Sequence, residues 1–431
     1  MKSALSWINK IRARQLSRKG NHAAALAVCD MQDIEVLYRA GMYLSVLKKS
    51  KKTSIERAFS LAKVREVGQS LQMVKSVADS NKAKVLLGYL AVLAPDKIIQ
   101  IIQDKPGLEN IKAYCYCHMN EAHKIDNSKK LTHFHLISMA LANRDVLSAK
   151  FYFEDLFRFH HLATPTVTWH ETGLSYKTLA CDAVKAASVT GPLISVILTA
   201  FNEEKYLAIA VQSLMSQSWQ NLEIIVVNDA STDNTLDVIE ELAVQDSRIK
   251  IINLKRNVGL WAAKNEGLKH CSGKFITMHD ADDWSHPKKL EKQVEPLLSN
   301  KILATTSYMV RIDEKTGEAF TRNACNYLRW NPSSFMFKPE LIEHHGGFVD
   351  NLLGSDCEFI ARFETIYGVK MHKRIRQPLS IGLQRHGSLS NRFRDIKNAK
   401  TRITHWESWR KKHAQSFNNR SRSDLDEVKV Q

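Results

Sequence analysis

The sequence predicts an all-α region followed by an α/β domain built on a mostly parallel sheet. Three observations carry this. Up to about residue 165, glycine is sparse and apolar residues recur every three or four positions. From Leu193 onward, short continuous apolar runs alternate with amphipathic stretches, the pattern of strands buried on both faces and joined by helices. Polar clusters fall just after those runs, where open α/β sheets bind ligands.

Four segments follow: a helical bundle or irregular repeat over 1–165, a linker over 166–191, the α/β domain over 192–392, and a basic helical extension or tail over 393–431. In the first, stretches such as AKVLLGYLAVLAPDKIIQIIQ (83–103) read as paired helices, with Ala94-Pro95-Asp96 and Asn143-Arg144-Asp145 as breaks. GNHAAALAVCD (20–30) is similar to part of a tetratricopeptide repeat, but no fixed period is present. Such stacks bind proteins or brace a neighbouring domain. The first helix places Ala4, Trp7, Ile8 and Ile11 on one face and six cations on the others, so contact with an anionic membrane surface stands beside ordinary packing.

In the α/β domain, strands are predicted over 193–200, 222–228, 249–254 and 274–279, with helices over 203–217, 233–246 and 260–270. After the fourth strand, FITMHDADDW (275–284) gathers Asp280, Asp282 and Asp283 within four positions. Like charges this close call for a cation. No GxGxxG or GxxxxGK(S/T) loop is present, so a bound nucleotide would depend on a hard divalent ion, Mn²⁺ or Mg²⁺, held by carboxylates against its phosphates.

The net charge of +17 suggests an anionic partner. Nucleic acid is disfavoured, because no recognition motif accompanies the charge. Seven scattered cysteines read as reduced thiols, and no apolar run reaches the ~18–20 residues that span a bilayer. The expected location is cytoplasmic, with peripheral contact at the inner face of the cell membrane as one option. The tail, with Trp406 and Trp409 among its cations, is a second candidate for a membrane surface or a partner subunit.

The run PLISVILTAFNEEKYLAIAVQSLMSQSWQNLEIIVVNDASTDNT, with NVGLWAAKNEGL and GKFITMHDADDW after it, resembles the nucleotide-binding half of family 2 glycosyltransferases of the GT-A fold. The resemblance runs from about 192 to 300 and continues more weakly to about 392. It implies that Thr199, Asn202 and Glu203 border the nucleoside and that Asp229 hydrogen-bonds a uracil ring. Asp280 reaches the ribose or metal, Asp282 ligates the metal, and Asp283 orients them or caps the next helix. Lys264 stands where the family usually has an arginine and would meet the diphosphate, or be a solvated helix residue. Asp356 matches the general base although Ser355 replaces the usual preceding acid, and Glu358 is the fallback. His386 resembles a histidine that closes the metal site. Gln384 and Arg385 are candidates for the diphosphate. Trp330, Trp284 and His345 are candidates for a sugar platform or for the core.

The implied reaction is inverting, metal-dependent transfer from a nucleotide-sugar, a UDP-sugar above others, to a hydroxyl of a glycan or lipid-linked glycan in bacterial surface polysaccharide synthesis. Two alternatives remain at this point: a catalytically inactive helical scaffold with a degenerate transferase half, and a sugar nucleotidyltransferase.

Overall fold

The computed structural model describes residues 2–29, 31, 33–77, 83–125, 131–180, 189–299, 301–349, 354–385 and 396–419. The N-terminal region is helical, as its periodicity predicts. Its helices are α1 (Lys2–Arg18), α2 (His22–Val28), α3 (Ile34–Arg39), α4 (Tyr43–Lys49), α5 (Ile55–Lys63), α6 (Val67–Val77), α7 (Ala83–Ala91), α8 (Pro95–Ile102), α9 (Glu109–His118), α10 (His133–Ala142) and α11 (Val146–Phe159). Helices adjacent in sequence pack as pairs, among them α1–α2, α5–α6, α8–α9 and α10–α11. Local signals start several of them: Asn21, Asp33, Ser54 and Asp145 each cap a helix by accepting a backbone N–H. Ala13 of α1 is fully buried against α2 and α3, and Arg14 pairs with Asp33 at 3.0 Å. That stretch of α1 is therefore packed on its own domain. The side chains of Ala4, Trp7 and Ile8 lie outside the described residues.

The predicted linker is docked rather than loose where it is described. Its strands β1 (Trp169–His170) and β2 (Gly173–Leu174) form a small hairpin, and Leu174 donates its N–H to Gly317. The α/β domain then supplies β3 (Ile194–Ala200), α12 (Leu207–Met215), β4 (Leu222–Asn228), α13 (Thr235–Gln245), β5 (Ile249–Asn253), α14 (Leu260–Leu268) and β6 (Phe275–Asp280). After it come β7 (Asp283–Ser285), α15 (Lys289–Leu298), β8 (Ala304–Asp313), β9 (Ala319–Phe320), β10 (Arg329–Phe337), α16 (Glu340–His345), α17 (Ser355–Tyr367), β11 (His372–Gln384) and α18 (Ile396–Asn419).

The sheet order is β5-β4-β3-β6-β10-β8-β11-β7, with β9 added beside β8. The first four strands are parallel, and β3 and β4 are buried along their whole length, as their unbroken apolar runs require. Beyond β6 the sheet turns mixed, because β10 joins β6 antiparallel and β11 joins β8 parallel. Helix α14 lies close on β3 at Gly267, where a Cβ would come within 2.6 Å of an Ile197 methyl.

The helical region and the far edge of the sheet share one core. Phe134, Leu141, Phe153 and Phe157 belong to the same buried cluster as Trp284, Val310, Tyr327, Leu379 and Ile381. The contact between α7 and the 321–327 loop is equally close. Ala324 donates to the Gly88 carbonyl at 2.9 Å, and any Cβ at Gly88 would fall 2.3 Å from Asn323 Oδ1. Helix α18 closes the seam on the other side. Its Glu407 accepts both the N–H and the hydroxyl of Ser45, and its His413 meets Glu358 of α17. Trp409 is buried, so the described part of the basic tail turns this aromatic inward.

Candidate active site

Strands β3, β4 and β6 end on one rim of the sheet, and the predicted polar residues stand there. Thr199 is in register with Asp280, one strand across. Its buried Oγ1 has no partner among the described residues. Asn202 takes a left-handed backbone (φ 56°) and clasps the loop after β4: its Oδ1 accepts from Thr232 N–H at 2.8 Å. Asp229, at the end of β4, is buried and receives the N–H groups of Val258 (2.7 Å) and Gly259 (2.9 Å), one on each oxygen. It thereby fixes the entry to α14, and any base it meets must use its remaining lone pairs.

The acids of the DADD stretch each face a cation of the chain. Lys264 is buried on α14, and its Nζ lies 3.2 Å from Asp280 Oδ1 and 5.0 Å from the Trp261 ring centre. It is not the solvated helix residue that its surroundings in the sequence allow. Burial works to raise the Asp280 carboxyl, but the Lys264 ammonium and a hydrogen bond from Ser333 outweigh it and hold it at about 2. Ser333 comes within reach because β10 is irregular between Asn331 and Met336.

Asp282 Oδ2 accepts from Arg385 Nε at 3.0 Å, and the same guanidinium forks onto Glu203 at 2.8 and 2.6 Å. Burial raises Asp282 and Glu203, with Arg385 opposing; the two acids in turn lock Arg385 as a cation. Asp283 is buried in β7 and does not start the next helix. Burial and its acidic neighbours raise it, while Arg311 and the buried Lys289 counter.

Beneath this turn runs a line of hydrogen bonds that the sequence did not suggest. Lys289 donates to Ser285 Oγ (3.1 Å), Ser285 and His279 Nε2 are 2.7 Å apart, and His279 Nδ1 reaches the Asp280 carbonyl at 2.8 Å. Burial and Lys289 lower His279 to about 3, so the ring is neutral and ties the two ends of the acidic turn together. Tyr176, from the predicted linker, donates its hydroxyl to the Asp282 carbonyl at 2.8 Å. In the sequence His279 is no more than the residue before Asp280, and Tyr176 gave no signal.

The second half of the expected site divides. Asp356 is half-buried in the first turn of α17, where its Oδ1 accepts from Cys357 N–H. Glu358, the fallback base, is buried, forked by Arg362 at 3.0 Å and met by His413 at 2.9 Å, so its carboxylate oxygens are already engaged. Gln384 is buried with both amide atoms unpartnered among the described residues, next to Arg385. Trp284 and His345 are core residues, the latter bonded to the Phe359 carbonyl. Trp330 is half-buried, donates to Thr306 and carries Arg374 at 4.5 Å over its ring, so one face is already covered. His386 lies outside the described residues.

Among the described residues no three His, Cys, Asp or Glu side chains meet as a full cation cage. Asp280 and Asp282 nevertheless fit a hard divalent ion in the manner of Mg²⁺, which takes one or two carboxylates and completes its shell with water and substrate phosphate. The orphaned Thr199 hydroxyl, on the strand next to Asp280, is a polar group that a bound ligand would satisfy.

Residues 195–351 match the profile of glycosyl transferase family 2. An uncharacterized glycosyltransferase of Haemophilus influenzae is 46% identical over 125 residues, which are 29% of this chain and 39% of that protein. A Bacillus subtilis glycosyltransferase named for teichuronic acid biosynthesis, TuaG, is 28% identical over 193 residues, 44% of this chain and 71% of that one. Among solved structures, residues 1–349 of Staphylococcus aureus TarS in complex with UDP-GlcNAc align with a TM-score of 0.40 at 19% identity, covering 55% of this chain and 76% of that one. The chain spans less than half the length of the Haemophilus relative. The stretch that bears Thr199, Asp229, Lys264, Asp280 and Asp282 lies within the residues that match the glycosyl transferase family 2 profile.

Proposed function

We propose that this chain transfers a sugar, with inversion, from a nucleoside-diphosphate sugar to a hydroxyl of a glycan or lipid-linked glycan. A UDP-sugar is the favoured donor. What supports the reading most is the acidic turn after β6, where Asp280 meets Lys264 and Asp282 meets Arg385, with the unpartnered Thr199 hydroxyl on the strand next to Asp280. In this reading Thr199, Asn202, Glu203 and Asp229 border the nucleoside, while Lys264 and Arg385 attract the diphosphate. Asp280 and Asp282, with His386 as a further candidate, would hold Mn²⁺ or Mg²⁺. A bound divalent ion supplies Lewis-acid stabilisation of the departing diphosphate.

Asp356 accepts the proton of the attacking hydroxyl as the new bond forms, and inversion needs no second nucleophilic carboxylate. The helical region holds the far edge of the sheet through a shared core, so the acceptor approaches a braced site. Assembly of a bacterial surface polysaccharide is the setting proposed, in keeping with the Bacillus relative's name. No helix among the described residues is long and apolar enough to cross a membrane, and the proposed place of action is the cytoplasm.

The test is a panel of UDP-sugars titrated with and without Mn²⁺, read by calorimetry and by UDP release. Asp282→Asn should bind the best donor at least tenfold more weakly with the metal present while keeping its circular dichroism. Equal affinity in the variant would remove Asp282 from the site.

A further inference from the structure

The stretch between the helical region and β3 makes one contact that the donor reading leaves unexplained. Tyr176 is buried and donates its hydroxyl to the Asp282 carbonyl at 2.8 Å. Its ring belongs to the core shared by the helical region and the sheet, yet its polar end leaves that core for the acidic turn. Tyr176 also precedes residues 195–351, the span that matches the family profile. A residue from outside that span thus holds the main chain of a proposed metal ligand.

Local structure makes Tyr176 a stiff strut. Just past the β1–β2 hairpin, Ser175 donates its N–H to the Thr168 carbonyl at 2.8 Å. Thr178 Oγ1 accepts the Thr168 N–H at 2.8 Å, and Thr166 and Ala180 exchange backbone bonds of 2.7 and 2.9 Å. On one side Trp169 meets Phe153 of α11 edge to face, with ring centres 5.4 Å apart. On the other, Leu174 donates to the Gly317 carbonyl at 3.1 Å, and a Cβ at Gly173 would fall 2.3 Å from the Gly317 carbonyl carbon. Tyr176 is therefore fixed both to the helical region and to the turn between β8 and β9.

From that turn the contacts return to Asp282. Glu314 donates its N–H to the Gln384 carbonyl at 3.2 Å and accepts the Tyr206 hydroxyl. The Tyr206 ring meets the Tyr176 ring edge to face at 6.0 Å and carries the Arg385 guanidinium at 5.4 Å. Arg385 bonds the Asp282 carboxylate at 3.0 Å. Asp282 is thus held twice, at its carboxylate by Arg385 and at its carbonyl by Tyr176. The first bond occupies an oxygen that a ligand needs. The second does not, so it persists when a ligand takes the carboxylate. It fixes the peptide that leaves Asp282, and a side chain on a fixed backbone has less freedom to lose on binding.

We propose that Tyr176 is a positioning residue of the donor site: it holds the Asp282 peptide so that the carboxylate is set for a divalent ion and the diphosphate bound with it. This rests on the transferase reading. It gives the region before β3 a second task, because the packing that braces the sheet edge also fixes a group at the site.

The full chain is titrated with UDP by calorimetry, in saturating Mn²⁺ and in EDTA, as parent, Tyr176→Phe and Thr178→Val. Tyr176→Phe keeps the ring in the core and removes the hydroxyl. Thr178→Val removes the Thr168 bond from the same strut and leaves the acidic turn alone. In Mn²⁺, Tyr176→Phe should bind UDP at least about fivefold more weakly than the parent, about tenfold being usual when an outer-shell partner of a metal ligand is lost, and in EDTA the two should agree within about twofold. Thr178→Val should match the parent in both buffers, whatever it loses in melting temperature. A smaller effect of Tyr176→Phe in Mn²⁺, an equal weakening in EDTA, or the same loss in Thr178→Val would mean ordinary packing and overturn the proposal. If the parent shows no Mn²⁺-dependent UDP binding, the donor reading falls and the role of Tyr176 with it. If the parent shows it and Tyr176→Phe leaves it unmoved, the role of Tyr176 alone falls.

Discussion

Lys264 allows a worked prediction. Its side chain is 2% exposed and its ammonium lies 3.2 Å from Asp280, whose side chain is 28% exposed. Held at about 2 instead of its ordinary 3.8, the Asp280 carboxyl contributes on the order of 2 kcal/mol to folding at neutral pH. A depressed carboxylate stabilises above its unfolded value, and that contribution fades as pH falls from about 4 toward 2. Lys264→Met removes the cation and keeps the volume. Breaking a fully buried pair costs about 3–5 kcal/mol, but Asp280 can draw on water or a proton, which sets the expected loss at about 2–3 kcal/mol. Urea unfolding at pH 7, followed by circular dichroism, measures it. A cycle with Asp280→Asn isolates the coupling, expected near 2 kcal/mol. The variant should also lose less stability than the parent between pH 4 and pH 3. A loss below about 1 kcal/mol, or an acid limb as steep as the parent's, would show that the pair does not act as described.

Three further outcomes concern Asp356, His279 and Arg385. Asp356→Asn should keep UDP affinity within about twofold and lower the transfer rate by roughly 10²–10⁴; near-parental transfer places the base elsewhere. His279→Leu strips a partner from both the Asp280 carbonyl and Ser285 and should cost about 1–3 kcal/mol in urea. Since the ring stays neutral above about pH 3, that cost should be level from pH 5 to 8, and a slope across this range would contradict the assigned bonds. Arg385→Gln takes the counter-charge from Glu203 and Asp282, which burial already raises. Both should then titrate higher, so the acid limb of the pH–rate profile moves to higher pH, and an unmoved limb refutes the coupling.

The legible part of the sequence was the part governed by local pattern. The strands at 222–228 and 194–200 follow from apolar runs that only a sheet covered on both faces can bury, whereas the strand at 249–253 lies at the edge with only Ile249 buried. The DADD turn was found because four positions hold three charges. What escaped depends on distant partners. Strand β11 pairs parallel with β8 across some sixty residues, with Pro378 breaking its register, and nothing near it in sequence marks that pairing. Glu358 read as a spare base because its distant partner, His413, is fifty-five residues away. Lys264 was legible only through the motif it shares with the resembling family, and nothing marked Lys289; the acids that make their burial tolerable belong to other elements. Tyr176 sat in a stretch without periodicity, yet it reaches the backbone of the acidic turn.

Crowded acids in a sequence imply a cation, but they do not say whose. Here Asp280 meets Lys264, Asp282 meets Arg385, and Asp283 faces Lys289 and Arg311. The turn can therefore fold with no ion bound, and its crowding argues for compensation rather than for a particular metal. The three compensations differ in access. Lys264 and Lys289 are buried and tied to the framework of α14 and α15, so their ammonium groups are held in place. Arg385 is 22% exposed and reaches Asp282 and Glu203 from the end of β11. A ligand that needs Asp282 must share it with this guanidinium, whereas one that needs Asp280 finds its second oxygen beside a charge that cannot leave. Discrimination between the two acids thus follows from which cation is anchored. For that reason the Arg385→Gln profile and the Lys264→Met unfolding curve test different halves of one electrostatic arrangement.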